Sequence, residues 1–233
     1  GCTGWSLRRP EAMELLHADA PGRYAAPTLL VMLPGAYSTP QEFVDEGFVQ
    51  ALRRRRLAVD VVIAGATIDH YVEGRVPERL HEQVLAPARA RGVQRVWLLG
   101  ISLGGLFAMG HAARHPAQLD GVLALAPYLG RRTLLDQIQR AGGPAAWAQG
   151  RQPQPDDLTE HEVWAWLARG GGQDRPPLHL GHGRDDRFVD AHRLLAAQLP
   201  PDRHFDAPGG HDWPVWRALW ERWLDRGLLG TPA

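Results

Sequence analysis

The stretch Val96-Trp97-Leu98-Leu99-Gly100-Ile101-Ser102-Leu103-Gly104-Gly105 decides how the chain is read. Residues 96–99 are a short apolar run of the kind a buried strand provides, and residues 106–115 continue in helical composition. Between them Gly100, Ser102 and Gly104 spell Gly-x-Ser-x-Gly. A turn this tight leaves room only for glycine two residues to either side of the serine. It lifts the hydroxyl clear of the backbone, at the start of a helix whose dipole favours negative charge. That is the setting of a nucleophile. The bland alternative is a glycine-rich packing turn. Ser102 has few rivals, since the chain holds only two other serines, Ser6 and Ser38.

Working outward, further apolar runs stand at 28–33 (TLLVML), 59–64 (VDVVIA), 121–126 (GVLALA), 177–181 (PLHLG) and, more weakly, 203–208 (RHFDAP). Helical stretches lie between them, at 48–57, at 78–91 with Leu80, Val84, Leu85 and Ala88 at helical spacing, and at 215–226. Continuous apolar runs buried on both faces belong to parallel sheets covered by helices, and the alternation predicts an α/β fold with a mostly parallel sheet. Residues 130–176 interrupt the alternation with Gly142-Gly143-Pro144, Pro153, Pro155 and three successive glycines at 170–172. They read as a cap inserted over the sheet, with helical pieces near 133–140 and 159–169. The division is thus an N-terminal segment 1–27, a core of 28–129 and 177–233, and a cap of 130–176.

A serine nucleophile needs a base, and the base needs an orienting acid. His211, in Pro208-Gly209-Gly210-His211-Asp212-Trp213, follows the last apolar run, where a loop at the carboxyl end of a strand can reach the serine. His182 is the nearest rival but would precede the acid. The loop after the run 177–181 offers Asp185, Asp186 and Asp190. Pro34-Gly35-Ala36-Tyr37 follows the run 28–33, so the backbone N–H groups of Ala36 and Leu103 can converge on one oxygen and stabilise an oxyanion.

With these pieces in the order serine, acid, histidine, the chain resembles the α/β-hydrolase superfamily over roughly residues 28–229. The resemblance rests on GISLGG, LPGAY, GRDDRFVD and GGHDW. It departs where Pro34 replaces the frequent histidine before Gly35, and where only residues 5–24 can supply the N-terminal antiparallel strands. The family implies hydrolysis of an ester or related acyl compound. Its loops place the acid three residues after a turn glycine, here Gly183, and three before an apolar residue, here Val189, which selects Asp186. Asp190 is then expected to cap a helix over 191–199, and Asp185 to be a solvated turn residue.

Composition narrows the class. Basic and acidic residues balance at 26 each, for a formal charge of zero, and this argues against a nucleic-acid partner. No run approaches the ~18 apolar residues of a membrane span. The single cysteine, Cys2, excludes an internal disulfide. Gly1-Cys2 resembles the junction of a bacterial lipoprotein, which implies lipid on Cys2, membrane anchoring and a place in the cell envelope. The competing reading is an unmodified, cytoplasmic protein. Trp213, Trp216, Trp220 and Trp223 recur on one helical face and read as core. Tyr37, Tyr128 and Trp164 are expected to line the substrate pocket, with Trp147 and Trp166 nearby in the cap. The histidines are scattered rather than at ligand spacing, so no metal and no cofactor is expected. The expected activity is that of a serine hydrolase on small-molecule carboxylic esters. Thioesterase, amidase or perhydrolase chemistry on the same triad, and a non-catalytic envelope lipoprotein, are the alternatives. The sequence carries no reading of oligomeric state.

Overall fold

The computed structural model describes residues 11–22, 24–154 and 156–230. Cys2, and the lipid expected on it, lie outside the described residues.

Strand β2 (Thr28–Leu33) shows how the sheet is built. All six of its residues are buried. Leu29, Val31 and Leu33 join one apolar cluster, and Leu30 and Met32 join another on the opposite face. This period of two, apolar on both sides, is that of a strand covered by helices above and below. The others are β1 (Glu14–Ala18), β3 (Val59–Gly65), β4 (Arg95–Ile101), β5 (Gly121–Leu125), β6 (Leu178–Gly183) and β7 (His204–Ala207). They form a seven-stranded sheet in the order β1-β3-β2-β4-β5-β6-β7. Among the described residues only β1 runs antiparallel, along β3. It is the single short antiparallel strand that residues 5–24 supply among the described residues.

The helices are α1 (Pro40–Asp45), α2 (Phe48–Arg54), α3 (Ile68–Glu73), α4 (Val76–Leu80), α5 (Ala86–Ala90), α6 (Leu103–Arg114), α7 (Arg132–Arg140), α8 (Pro144–Ala148), α9 (Leu158–Ala168), α10 (Val189–Ala196) and α11 (Trp213–Asp225). Phe43, Phe48, Trp216, Trp220 and Trp223 from α1, α2 and α11 pack one face of the sheet. Leu80, Leu106, Phe107, Trp164 and Leu195 from α4, α6, α9 and α10 pack the other. Trp216, Trp220 and Trp223 are core, as their spacing predicts, and Trp213 is half-buried against the same cluster. Trp220 stacks on Phe48 at 5.7 Å between ring centres and donates its indole N–H to the Phe48 carbonyl at 3.1 Å.

The helix expected over 78–91 starts earlier, at Val76, and is interrupted by a π turn at His81–Leu85 between α4 and α5. Pro87 follows two residues after the end of that turn. It has no N–H to give to the carbonyl four residues before it, and a widened turn absorbs that loss. The spaced residues Leu80, Val84, Leu85 and Ala88 are all buried.

The stretch 130–176 holds α7, α8 and α9. Because β5 and β6 are parallel neighbours, the chain must travel the length of the sheet between them. Helix α9 makes that crossing against α6. It is therefore a crossover helix of the core, with Trp164 fully buried and its indole N–H donated to the Leu129 carbonyl at 2.9 Å.

Candidate active site

The register of the sheet assembles the site. Leu33 pairs with Gly100, Ile101 with Leu125, Leu125 with Gly181, and Gly183 with Ala207. These strands end together, so the segments after them, 34–37, 102, 126–128, 184–188 and 208–211, all emerge at one edge.

Ser102 sits at that edge with φ 55° and ψ −116°, a conformation that costs a non-glycine residue energy and needs a surrounding structure to hold it. Three glycines make the turn sterically feasible. A Cβ on Gly100 would overlap the Gly104 carbonyl, and one on Gly104 would overlap the Leu33 carbonyl. One on Gly105 would sit 2.8 Å from the Pro127 ring. The serine backbone is held from both sides. Its N–H donates to Leu125 O at 3.0 Å, and its carbonyl accepts the Tyr128 N–H at 2.9 Å.

The turn at 34–37 lies against the serine. A Cβ on Gly35 would stand 3.6 Å from Ser102 Cβ, and Ser38 N–H closes the turn onto Gly35 O at 3.2 Å. Neither the Ala36 N–H nor the Leu103 N–H donates to a protein acceptor among the described residues. Both are thus free to serve an oxygen of a bound molecule.

Of the three acids, the structure brings one to the histidine. Asp186 Oδ2 accepts from His211 Nδ1 at 2.8 Å, and Asp186 Oδ1 accepts the Phe188 N–H at 2.8 Å. Burial, the largest influence, pushes the Asp186 carboxyl up. The hydrogen bonds from His211 and Phe188 and the nearby His192 outweigh it and leave the carboxyl below its ordinary value. A carboxylate only accepts, so Nδ1 carries the imidazole proton and Nε2 keeps a lone pair. Asp185 and Asp190 are exposed. Asp190 does not cap the helix after it. Helix α10 begins at Val189, so Asp190 lies inside its first turn, 3.6 Å from Arg193. His182 is buried behind the site and bonded to Gly183 O and His204.

The acid and histidine loops are laced together by Arg184 N–H to Ala207 O at 2.9 Å and Asp185 N–H to Gly209 O at 3.0 Å. His211 stands edge-on between Phe188 and Trp216, at 5.2 and 5.0 Å. Phe188 is a contact that the sequence reading passed over. Its place two residues after the acid is the only sign of it there. Ser102 Oγ forms no hydrogen bond to His211 in this structure.

The expected pocket residues divide. Tyr128 is half-buried beside Ser102 and packs edge-on against Phe188 at 5.7 Å. Tyr37 is 92% exposed at the rim. Trp164 offers no surface to a substrate: it is fully buried, and Trp147 and Trp166 are nearly so, because they fasten the stretch 130–176 to the core. Glu160 adds a second fastening, accepting from the Tyr71 hydroxyl at 2.6 Å. Burial pushes the Glu160 carboxyl up, against the opposing pull of that bond. Among the described residues no group of three or more His, Cys, Asp or Glu could hold a metal ion.

The family model described as "Putative esterase" matches residues 64–222. The chain belongs to this family. Solved structures agree on the fold of this family member. Est1E from Butyrivibrio proteoclasticus superposes with a TM-score of 0.63 at 14% identity, over 92% of this chain and 93% of that one. The S-formylglutathione hydrolase of Staphylococcus aureus gives 0.58 at 12% identity, over 93% and 98%. A monoacylglycerol lipase of Paleococcus ferrophilus gives 0.58 at 14%, over 93% and 98%. The chain spans less than a third of the curated relatives it matches. One is the 2-succinyl-6-hydroxy-2,4-cyclohexadiene-1-carboxylate synthase of Enterobacter sp. (strain 638), 36% identical over 74 residues, which are 32% of this chain and 28% of that protein.

Proposed function

We propose that this esterase-family chain is a serine hydrolase of small-molecule carboxylic esters. The observation that carries the proposal is the Asp186–His211 hydrogen bond of 2.8 Å, formed at the same sheet edge as the strained Ser102. Ser102 Oγ attacks the acyl carbon as His211 Nε2 takes its proton, and Asp186 stabilises the imidazolium without itself becoming protonated. The oxyanion is held by the N–H groups of Ala36 and Leu103. The imidazolium returns the proton to the leaving alkoxide, which departs as alcohol. Water, deprotonated by His211, then attacks the acyl-Ser102 ester, and the imidazolium returns that proton to Ser102 Oγ as the carboxylic acid leaves. Tyr128 and the exposed Tyr37 border the approach to the acyl group.

Two measurements test this. Wild type should hydrolyse p-nitrophenyl butyrate and label with a fluorophosphonate. Ser102→Ala should lose both, by on the order of 10⁴-fold or more in turnover. Labelling that persists in Ser102→Ala, or a folded wild type that neither hydrolyses nor labels, would overturn the assignment. Thioester and anilide analogues in the same assay separate ester from thioester or amide preference.

A further inference from the structure

We infer that His192, a residue no step of the reaction uses, is a positioning residue that couples the placement of Ser102 to that of Asp186. The inference rests on the hydrolase assignment above. His192 is fully buried on α10, the helix that starts where the acid loop ends, with Val189 N–H donating to Asp186 O at 3.0 Å. Its Nε2 lies 3.0 Å from the Pro127 carbonyl. A carbonyl only accepts, so the proton is on Nε2 and the bond is a donation.

Pro127 is the keystone of the segment behind the nucleophile. Leu125 O takes the Ser102 N–H, and Tyr128 N–H gives to Ser102 O. The Pro127 ring covers Gly105 of the elbow, where an added Cβ would come within 2.8 Å. Ala126 between them has φ 45°, so the segment is itself strained and needs an outside hold. It has two: the Ala126 N–H, given to Gly181 O at 2.7 Å, and the Pro127 carbonyl, taken by His192. The opposite neighbours of the imidazole belong to the acid side. Phe188, whose N–H fixes Asp186 Oδ1, stands 6.5 Å away edge-on, and His182 of β6 packs on His192 at 4.8 Å between ring centres. One side chain therefore touches the brace of the nucleophile and the frame of the acid.

The role lies in geometry, so the test compares side chains that place a donor differently. Gln puts an amide N–H near the position of Nε2, Asn puts it a bond too short, and Phe keeps the ring without a donor. For His192→Asn and His192→Phe, kcat on p-nitrophenyl butyrate should fall by about 10- to 100-fold, the scale of displacing reacting groups by about 1 Å. KM should stay within about twofold, and fluorophosphonate labelling should slow in parallel, because the brace acts on reactivity rather than on substrate binding. His192→Gln should recover to within about threefold of wild-type kcat. If His192→Phe does not fold, the Gln and Asn variants decide alone. Equal kcat for Gln and Asn, or a loss that appears in KM, overturns the inference while an active wild type leaves the hydrolase assignment standing. An inactive, unlabelled wild type removes both.

Discussion

Asp186→Asn isolates the orienting acid with almost no change of shape. Asp186 spends its oxygens on two donors, the Phe188 N–H on Oδ1 and the His211 Nδ1–H on Oδ2, each at 2.8 Å. The asparagine oxygen keeps the first. Its NH2 group then faces Nδ1 and must donate, which moves the imidazole proton to Nε2. The nitrogen facing the substrate then has no lone pair for the serine proton, and turnover should fall on the order of 10⁴-fold with KM little changed. The buried, charge-assisted bond is also lost, at about 1.5–3 kcal/mol, which for a chain of this size is a fall in Tm of roughly 3–12 °C. Steady-state kinetics on p-nitrophenyl butyrate well below that Tm separate the two effects. Asp185→Asn and Asp190→Asn alter exposed side chains and should each stay within about twofold, the equivalent of about 0.5 kcal/mol. If Asp185→Asn proves the more damaging in matched folded preparations, or Asp186→Asn loses less than about tenfold, the reasoning from the 2.8 Å bond is wrong.

Gly104→Ala would drive a methyl into the Leu33 and Pro34 carbonyls and shift the turn that carries Ala36; activity should fall at least about 100-fold, as for a misplacement of about 1 Å, and unchanged kinetics would show that the turn can move freely. His111, His179 and His192 are each lowered to about 4 by burial, from an ordinary 6.5. The unfolded chain therefore binds more protons than the folded one between those values, so stability is complete above about 6.5 and is lost as pH falls towards 4, at about 1.4 kcal/mol per pH unit for each histidine. Urea unfolding at pH 7 and pH 5 measures this, and equal stabilities would contradict it. Because Trp164 and the Tyr71–Glu160 bond fasten α9 to the core, activity on a short-chain triglyceride should rise smoothly through its solubility limit; a jump at emulsion formation would mean that the cap opens.

The chemistry was legible wherever a local steric rule fixes the residue type. Gly100 is required by a backbone contact within the turn itself and Gly104 by the close passage of the Leu33 and Pro34 carbonyls, and the fully buried runs of β2, β5 and β6 show their burial in their composition. The loop itself left three acids open, and the spacing that the family resemblance implies pointed to Asp186, the residue that the geometry selects. What the sequence concealed depends on distant partners. Helical spacing places Trp164 in a helix, but whether it faces substrate or core depends on the Leu129 carbonyl, 35 residues away. Asp190 looked like a cap because a short acid precedes an apolar stretch, yet the helix had already begun at Val189. His192 carried no local sign at all, since its partner lies 65 residues upstream.

That α9 is the crossover between β5 and β6 bears on how this scaffold can diversify. A cap that is a pure excursion can be exchanged for another without disturbing the sheet. Here an exchange of all of 130–176 would also remove the only link between β5 and β6, and with it the support of α6 that carries the nucleophile turn. The segment 131–157, which holds α7 and α8, is the part of this stretch that can vary while the crossover stays in place, provided Leu134, Ile138 and Trp147 keep their places in the core. Chimeras that exchange 131–157 and keep those three anchors should retain the fold, whereas exchanges that run into α9 should lose it.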